Sequence, residues 1–531
     1  MHPLYSVAQL RAIEHGAAAL LPAGALMQRA GEAAAALALD LIGARPGPVL
    51  VLAGPGNNGG DALDTAARLA HAGAEVMLVH LAGAAASPDT LRALGRARAG
   101  STRFIDAPPP ARDWALVIDG LFGIGLARPL EGAARAVVLG LEGLACPVLA
   151  LDIPSGLDAD TGALVGQAPG QGQAQSQPVA VRATHTITFI GDKPGLHTGA
   201  GRDHAGQVTV APIGIDPALL PPAMAGLNGP ALFAQHLVPR RHDSHKGSFG
   251  DVAIVGGAAG MAGAPVLAAR AALHAGAGRV FVAALEPALA WDSAQPELMF
   301  RDGAAFLAKD GGKGATLVLG PGLGDSATAL RLLSKALEGD APLVLDADAL
   351  NLVAASVALQ QRLAERGGPR QAAAPSPSPQ QLLTPHPLEA ARLLGVTAAV
   401  VQGDRLAAAR EIAARLQAVV VLKGSGTVIA DPSGRVAINP TGNPGLATGG
   451  TGDVLAGVCG ALLAQGWRAW EAALGAVWLH GAAADRLVEQ GVGPVGLTAG
   501  ELPAAVRSLL NEAIRARAGR ESAFAPFAPP A

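Results

Sequence analysis

Cysteine is scarce in this chain. Cys146 and Cys459 are the only two in 531 residues. Two such distant residues build neither a disulfide framework nor a cysteine metal site, and a reducing, cytoplasmic setting is expected. Long apolar runs are also lacking. Half the residues are hydrophobic, yet no stretch reaches the about 18 uncharged apolar residues of a membrane span, so no membrane partner is expected. The formal net charge is only -3, which gives no reason to expect nucleic acid. The opening residues have no basic start followed by an apolar core, and Glu14 interrupts the apolar pattern; no signal peptide is read. There is no internal repeat. There is also no G-x-x-x-x-G-K-[ST] sequence, which excludes a P-loop NTPase.

What the chain does have is glycine, 70 residues of it, much of it in tight clusters that point to ligand loops. The length suits two large domains or three small ones. In the first part, "PVLVLAG" (48–54), "EVMLVHLAG" (75–83), "WALVIDGLFG" (114–123), "PVLALDIPSG" (147–156), "HTITFIG" and "GQVTVAPIG" read as strands. Helix-like stretches separate several of them. That alternation predicts a parallel sheet covered on both faces. The Pro-rich "DPALLPPAMAGLNGP" (216–230) is the expected boundary. A second α/β series starts at "GDVAIVGG" (250–257) and runs through "RVFVAA", "ATLVLGPGLG", "APLVLDADAL", "VVVLKGSGTVIA" and "RVAINP". The expected division is therefore 1–225, then 226–518, with 519–531 a disordered tail. The segments 166–180 and 367–381 are low-complexity and read as unstructured insertions.

The first glycine loop, "LAGPGNNGGD" (52–61), satisfies G-x-G-x-x-G through Gly54, Gly56 and Gly59. A dinucleotide site would also need an acidic residue ending the second strand. That position holds His80, with no carboxylate. The polar set inside the loop, Asn57, Asn58 and Asp61, points to another ligand. Asp119 and Asp152 each follow an apolar strand. In a parallel sheet both fall at the ligand-binding edge. Either one alone could be a plain helix or turn cap.

Together "GPGNNGGD", "DGLFGIGLARPL", "DIPSGLDADTG", "TITFIGDKPGL" and the opening "MQRAGEA" resemble the N-terminal, epimerase domain of the bifunctional NAD(P)H-hydrate repair enzymes. The resemblance covers roughly residues 1 to 217 and implies a Rossmann-like parallel-sheet domain. It implies substrate contacts at Asn57, Asn58, Gly59, Gly60 and Asp61, at Gly123, Ile124, Gly125, Leu126, Ala127, Arg128 and Pro129, and at Asp152. It also implies a potassium ion on Asn58, Asp119 and Ser155, all hard oxygen donors. Asp152 is the candidate acid/base for epimerisation at C6 of the hydrated ring. Family members usually carry Gly after the motif Asp; Ala62 stands here.

In the second half, "NPTGNPGLATGGTGDVLAG" (439–457) leads a glycine cluster into Asp453 and an apolar helix. Free N–H groups at a helix start make an anion site, so phosphate chemistry is expected there. Asp453 is placed to take a proton from a substrate hydroxyl; otherwise it is an ordinary N-cap. The arrangement resembles the ribokinase-like fold. With "HKGSFGDVAIVGG", "LGPGLG", "VLDADALN", "LTPHPLEAARLL" and "VVVLKGSGTVI" in order, it looks like NAD(P)H-hydrate dehydratase over about 235 to 510. The expected fold class is thus α/β, a Rossmann-like domain followed by a ribokinase-like α/β domain.

That likeness implies nucleotide contacts at Lys423, Gly424, Ser425, Gly426, Thr427 and Gly452. It implies substrate contacts at Ala264, Gly322, His386 and Asp453, with Mg2+ at the phosphates and Asp346 or Asp348 as water-mediated holders. Ala264 and Gly322 could instead serve close packing, His386 could be an ordinary loop histidine, and Lys246 and Lys423 could be surface charges. The implied chemistry converts R- and S-hydrates of NADH and NADPH (NADHX and NADPHX) into one another. It then dehydrates the S form with ADP, or ATP, as phosphoryl donor, giving AMP and phosphate. A homo-oligomer is expected. The competing readings are a small-molecule kinase of the thiazole or hydroxymethylpyrimidine type and a non-catalytic nucleotide-binding module.

Overall fold

The computed structural model describes residues 2–83, 86–109, 113–167, 177–223, 225–285, 291–308, 312, 314–368 and 380–523, the last five as backbone alone. The chain divides into two compact units, one built on Pro3–Gly226 and the other on Leu227–Val401 and Arg405–Ala531. Among the described residues no helix is long and apolar enough to cross a membrane.

The first unit holds a seven-stranded sheet. Its strands are β1 (Val49–Ala53), β2 (Val76–His80), β3 (Arg103–Ile105), β4 (Leu116–Gly120), β5 (Val148–Leu151), β6 (His185–Phe189) and β7 (Gln207–Ala211). The spatial order is β3-β2-β1-β4-β5-β6-β7, all parallel. Alternate residues of a strand face opposite ways. Val49, Val51 and Ala53 accordingly enter one core with Leu63, Leu69 and Ala34, while Leu50 and Leu52 enter a second with Trp114 and Val138. Burial on both faces explains the continuous apolar runs. Helices α1 (Val7–Ala18), α2 (Ala25–Ile42), α3 (Asn57–His71) and α4 (Pro88–Ala99) pack around the sheet. Buried Asp64 ties α3 to α4 by accepting from Arg68 Nε at 2.7 Å and Arg96 Nε at 2.9 Å. The direction of crossover reverses between β1 and β4, and ligands bind at such a switch point.

Nine strands of the larger sheet lie wholly in the second unit. They are β8 (Asp251–Gly256), β9 (Arg279–Ala284), β10 (Met299–Asp302), β11 (Ala315–Leu319), β12 (Leu343–Leu345), β13 (Gln381–Leu383), β14 (Val419–Leu422), β15 (Val428–Ala430) and β16 (Val436–Ile438). Their order is β16-β15-β14-β13-β12-β11-β8-β9-β10. The β14-β15 and β15-β16 pairs are antiparallel and the rest parallel. This is the ribokinase-like α/β unit. Helix α5 (Thr451–Ala464) is apolar nearly all round and runs through the core, as such helices must. Helix α6 (Ala469–Glu489) packs beside it.

Every strand read from the sequence forms. The short β3 and β10 do not show in the apolar pattern, because both are partly exposed and carry charged residues. The insertions are narrower than their composition suggests. Val179 and Ala180 pack against apolar clusters of the first unit. Gly367 ends the helix Val357–Gly367, and Gln381 opens β13. Gln381 is buried because its amide is fully used: it accepts from Arg366 Nη1 and donates to the Leu363 and Gln417 carbonyls. The remainders, 168–176 and 369–379, lie outside the described residues. Helix Leu502–Ala523 also runs into the segment expected as a tail from 519; residues 524–531 are outside the described set.

Candidate functional site

Each unit gathers charged residues at the carboxyl ends of its strands. In the first unit the loops after β1, β4, β5 and β6 enclose a cavity of about 600 Å3 lined by Asn57, Asn58, Asp61, Gly123 to Leu126, Asp152 and Lys193. Gly59 and Gly60 are buried beneath it and Ala127 to Pro129 are exposed, so these five expected contacts lie outside its wall. The G-x-G-x-x-G spacing serves packing here. A Cβ on Gly59 would stand 1.9 Å from the Gly54 carbonyl oxygen. Ala62 has a local explanation too. It is fully buried, and its methyl fills the place where a Cβ on Gly120 would lie, 2.4 Å away.

Asp152 takes a left-handed φ of 68° directly after β5. Its Oδ1 pairs with Lys193 Nζ at 2.8 Å, and its Oδ2 accepts from the Ile124 N–H at 3.2 Å. Lys193 is only 1% exposed; its ammonium also bonds the Thr188 hydroxyl. Asp61 behaves differently. Burial, and then the charges of Asp152, Glu14 and Asp64, push its carboxyl well above the usual range.

Below the cavity, Asp119 is completely buried. It accepts from Ser155 N at 2.8 Å, Ser155 Oγ at 2.7 Å and Leu121 N at 3.2 Å. Burial raises its pKa to about 6 against those bonds. Asn58 lies beside Gly123 of the loop that follows Asp119: its Cβ and Cγ are 3.3 and 3.4 Å from where a Gly123 Cβ would be. Neither its Oδ1 nor its Nδ2 has a hydrogen-bond partner, although both are buried. An orphaned buried amide oxygen, and a buried carboxylate that has only neutral donors, are oxygen donors of the kind that suit a hard cation.

In the second unit the site gathers around the start of α5. Gly450 caps the helix with φ 91°, a conformation that favours glycine. The strap before it is held by Asp485 on α6, which accepts from Gly442 N at 2.8 Å and Asn443 Nδ2 at 2.9 Å. His480 on the same helix is buried under Thr451; burial holds its pKa down to about 4, so it is neutral. Asp453 in the first turn has a pKa pushed up to about 7, by burial first and then by the charge of Asp346. Lys423 follows β14 and reaches Asp346 Oδ1 at 2.6 Å. It is not a surface charge. Burial would lower its pKa, but Asp346 and Glu389 outweigh burial and raise it. A Cβ on Gly452 would be 3.3 Å from Lys423 Nζ, so glycine leaves the lysine room at the turn.

The other expected residues fall nearby with mixed roles. Gly322 and Ala264 meet, with 3.3 Å from the Ala264 methyl to where a Gly322 Cβ would lie. His386 caps the helix Pro387–Leu394: its Nδ1 accepts from Leu388 N and Glu389 N, and its own N–H donates to Glu389 Oε2 at 2.7 Å. Thr427 Oγ1 closes the 423–427 loop on the Gly424 carbonyl at 3.1 Å. Buried Arg405 braces that loop from behind by donating to the Leu422 and Lys423 carbonyls, each at 3.2 Å. Asp348 Oδ2 accepts from Gly324 N at 2.8 Å. Lys246 lies at the opposite, amino end of β8. Lys193, Glu389, Arg405, His480 and Asp485 were not among the expected site residues. Of these only Lys193 and Glu389 sit inside recognisable motifs, "GDKPGL" and "TPHPLE".

Fold and sites together define a two-centre α/β enzyme: a Rossmann-like unit with an acidic crevice, and a ribokinase-like unit with a glycine anion turn. Family models agree with both halves: "YjeF-related protein N-terminus" matches residues 23–195 and "NAD(P)H-hydrate dehydratase" matches 252–503. The bifunctional NAD(P)H-hydrate repair enzyme of Coxiella burnetii is 37% identical over 92% of this chain and 94% of its own length. That of Escherichia coli is 36% identical over 92% and 89%. The ADP-dependent (S)-NAD(P)H-hydrate dehydratase of Neisseria meningitidis is 46% identical over 51% of this chain and 88% of its own. Among solved structures, the Bacillus subtilis ADP/ATP-dependent NAD(P)H-hydrate dehydratase, co-crystallised with ATP/Mg2+, covers 54% of this chain and 97% of its own, with 31% identity and a TM-score of 0.45. The chain belongs to the bifunctional NAD(P)H-hydrate repair enzymes, which join an epimerase to a dehydratase.

Proposed function

We propose that the crevice of the first unit epimerises the C6 hydroxyl of hydrated NADH and NADPH, and that the second unit dehydrates the S form at the expense of ADP. In the crevice, Asp61, whose carboxyl burial pushes up, and Asp152, paired with Lys193 at 2.8 Å, face one cavity, so two carboxyls stand where protons could be exchanged with a bound ring. Asp152 is the group assigned to C6. Asn58, Asp119 and Ser155 would hold a potassium ion, whose charge offsets the buried Asp119 carboxylate.

In the second unit the substrate hydroxyl gives its proton to Asp453 as its oxygen attacks the β-phosphorus of ADP, and AMP leaves. Phosphate then leaves C6 with its bonding pair as C5 gives up a proton to solvent, and the C5–C6 double bond re-forms. The amides of Gly449 to Gly452 and the Lys423–Thr427 loop hold the phosphates. Several carboxyls, Asp346, Asp348, Glu389 and Asp453, stand against the single ammonium of Lys423. That surplus suits Mg2+ carried in with the nucleotide, which Asp346 and Asp348 would hold. When bound, magnesium would neutralise charge on the phosphates. A cytoplasmic homo-oligomer acting on free NADHX and NADPHX is the accompanying expectation.

The observation that carries the reading is the position of Asp453: in the first helical turn behind the glycine cap, beside a buried lysine, with a pKa pushed up to about 7. Incubating the protein with hydrated NADH, Mg2+ and ADP tests it. Dihydronicotinamide absorbance is expected to recover in step with phosphate release. A phosphorylated product accumulating without phosphate release would mark a kinase and end the reading.

A further inference from the structure

The motif "HKGSFG" plays no part in either site. It precedes β8 and so lies at the amino ends of the parallel strands, away from Asp453. Along α5 from Asp453 to Gln465 the separation is roughly 18 Å, at 1.5 Å per residue. Around this opposite end is a second cavity, of about 710 Å3, whose wall includes Arg240, Phe249, His274, Trp467 and Arg507.

Its charge is unbalanced. Arg240 lies over the Phe249 ring at 3.5 Å and spends Nη2 on the Gly276 carbonyl at 2.5 Å and Gln465 Oε1 at 3.1 Å. Its Nε and Nη1 have no acceptor among the described residues, and it makes no ion pair there. The Arg507 guanidinium has no acceptor or carboxylate either, again among the described residues. The one acid in the wall, Asp243, is taken by Arg241 through two bonds of 3.0 Å.

Two guanidiniums without a carboxylate partner, on one cavity, favour an anion with several acceptor oxygens. The volume falls in the range of small-molecule sites. We propose that this cavity is a second, non-catalytic site for a phosphate-bearing small molecule, held by Arg240 and Arg507. Free inorganic phosphates and nucleotides share that chemistry. The proposal does not depend on the assignments made at Asp453.

Calorimetry of the full chain with inorganic pyrophosphate, in chelator so that the carboxyl-rich site at Asp453 lacks its Mg2+, is expected to resolve one site per chain. Arg240→Gln/Arg507→Gln is expected to weaken it about tenfold or more, while ADP-dependent dehydration in Mg2+ stays within about twofold. Lys423→Ala is expected to leave it unchanged. Arg507→Gln alone, on an exposed side chain that holds no other group, is expected to weaken it about threefold or more without disturbing the fold. Competition with AMP identifies the ligand: AMP binding more tightly than pyrophosphate points to a nucleotide, the reverse to a free inorganic anion. Pyrophosphate binding unchanged in both arginine variants would overturn the proposal. So would a changed oligomeric state of the double variant with pyrophosphate binding intact, which would assign this face to a second copy of the chain.

Discussion

The two sites use glycine in opposite ways. Around Gly59 and Gly60 the first unit buries its glycines, so that backbone can pass close to backbone and lift Asn58 and Asp61 to the cavity. At Gly449 the second unit leaves its glycine open, and half-buried Gly450 follows it at the helix start. The acids, by contrast, follow one scheme in both. A buried lysine takes one aspartate, Asp152 at 2.8 Å or Asp346 at 2.6 Å, and that aspartate's charge helps to raise the pKa of another, Asp61 or Asp453. A glycine-rich spacing therefore does not say whether amides are offered to a ligand. The burial of those glycines does.

The sharpest way to separate the sites is Asp453→Asn. Dehydration should fall roughly a thousandfold with epimerisation unchanged, as read by absorbance recovery from each epimer. In the parent, dehydration kcat/KM should rise as pH increases through about 7, where Asp453 loses its proton. The stability effect has the opposite sense. The folded pKa lies above the ordinary 3.8, so the protonated group favours the fold at low pH and that contribution is lost as pH rises through about 7. Asp453→Asn should thus raise the Tm at pH 8 and leave it unchanged near pH 3.

Lys193→Met strikes the parallel pair in the first unit. It leaves Asp152 without its counter-charge, which should cost about 3 kcal/mol of that unit's stability. Epimerisation should fall with it while dehydration of the S form persists; equal loss of both activities would contradict separate centres. Asn58→Ala should lower epimerisation about tenfold, and the parent alone should respond to exchanging potassium for a large organic cation. The smallest change is Ala62→Gly. It should destabilise the first unit by about 1 kcal/mol, measured by denaturant midpoint, and leave epimerisation within about twofold.

Strands, their carboxyl-end loops and the glycine turns were legible in the sequence, because each is written in consecutive residues. The apolar run of β1 and the acid after β5 needed no partner to be seen. The pairings were not legible. Lys193 is 41 residues from Asp152, and Lys423 is 77 from Asp346. Nothing local says that a lysine in "GDKPGL" is buried. Asp485 and His480 read as ordinary positions of a long helix, yet they meet the strap and turn only after α6 docks beside α5. Gln381 misled for the converse reason: a polar residue at the end of a Ser/Pro-rich stretch resembles linker until its amide finds four partners.

The contact between Ala62 and Gly120 fixes the history available to these two positions. A methyl at 62 occupies space that any side chain at 120 would require. A lineage that acquires alanine at the first position is committed to glycine at the second, next to Asp119, until the earlier change is reversed. Among homologues the two should therefore vary as a linked pair, and a chain with side chains at both would have had to move the start of a helix away from the sheet.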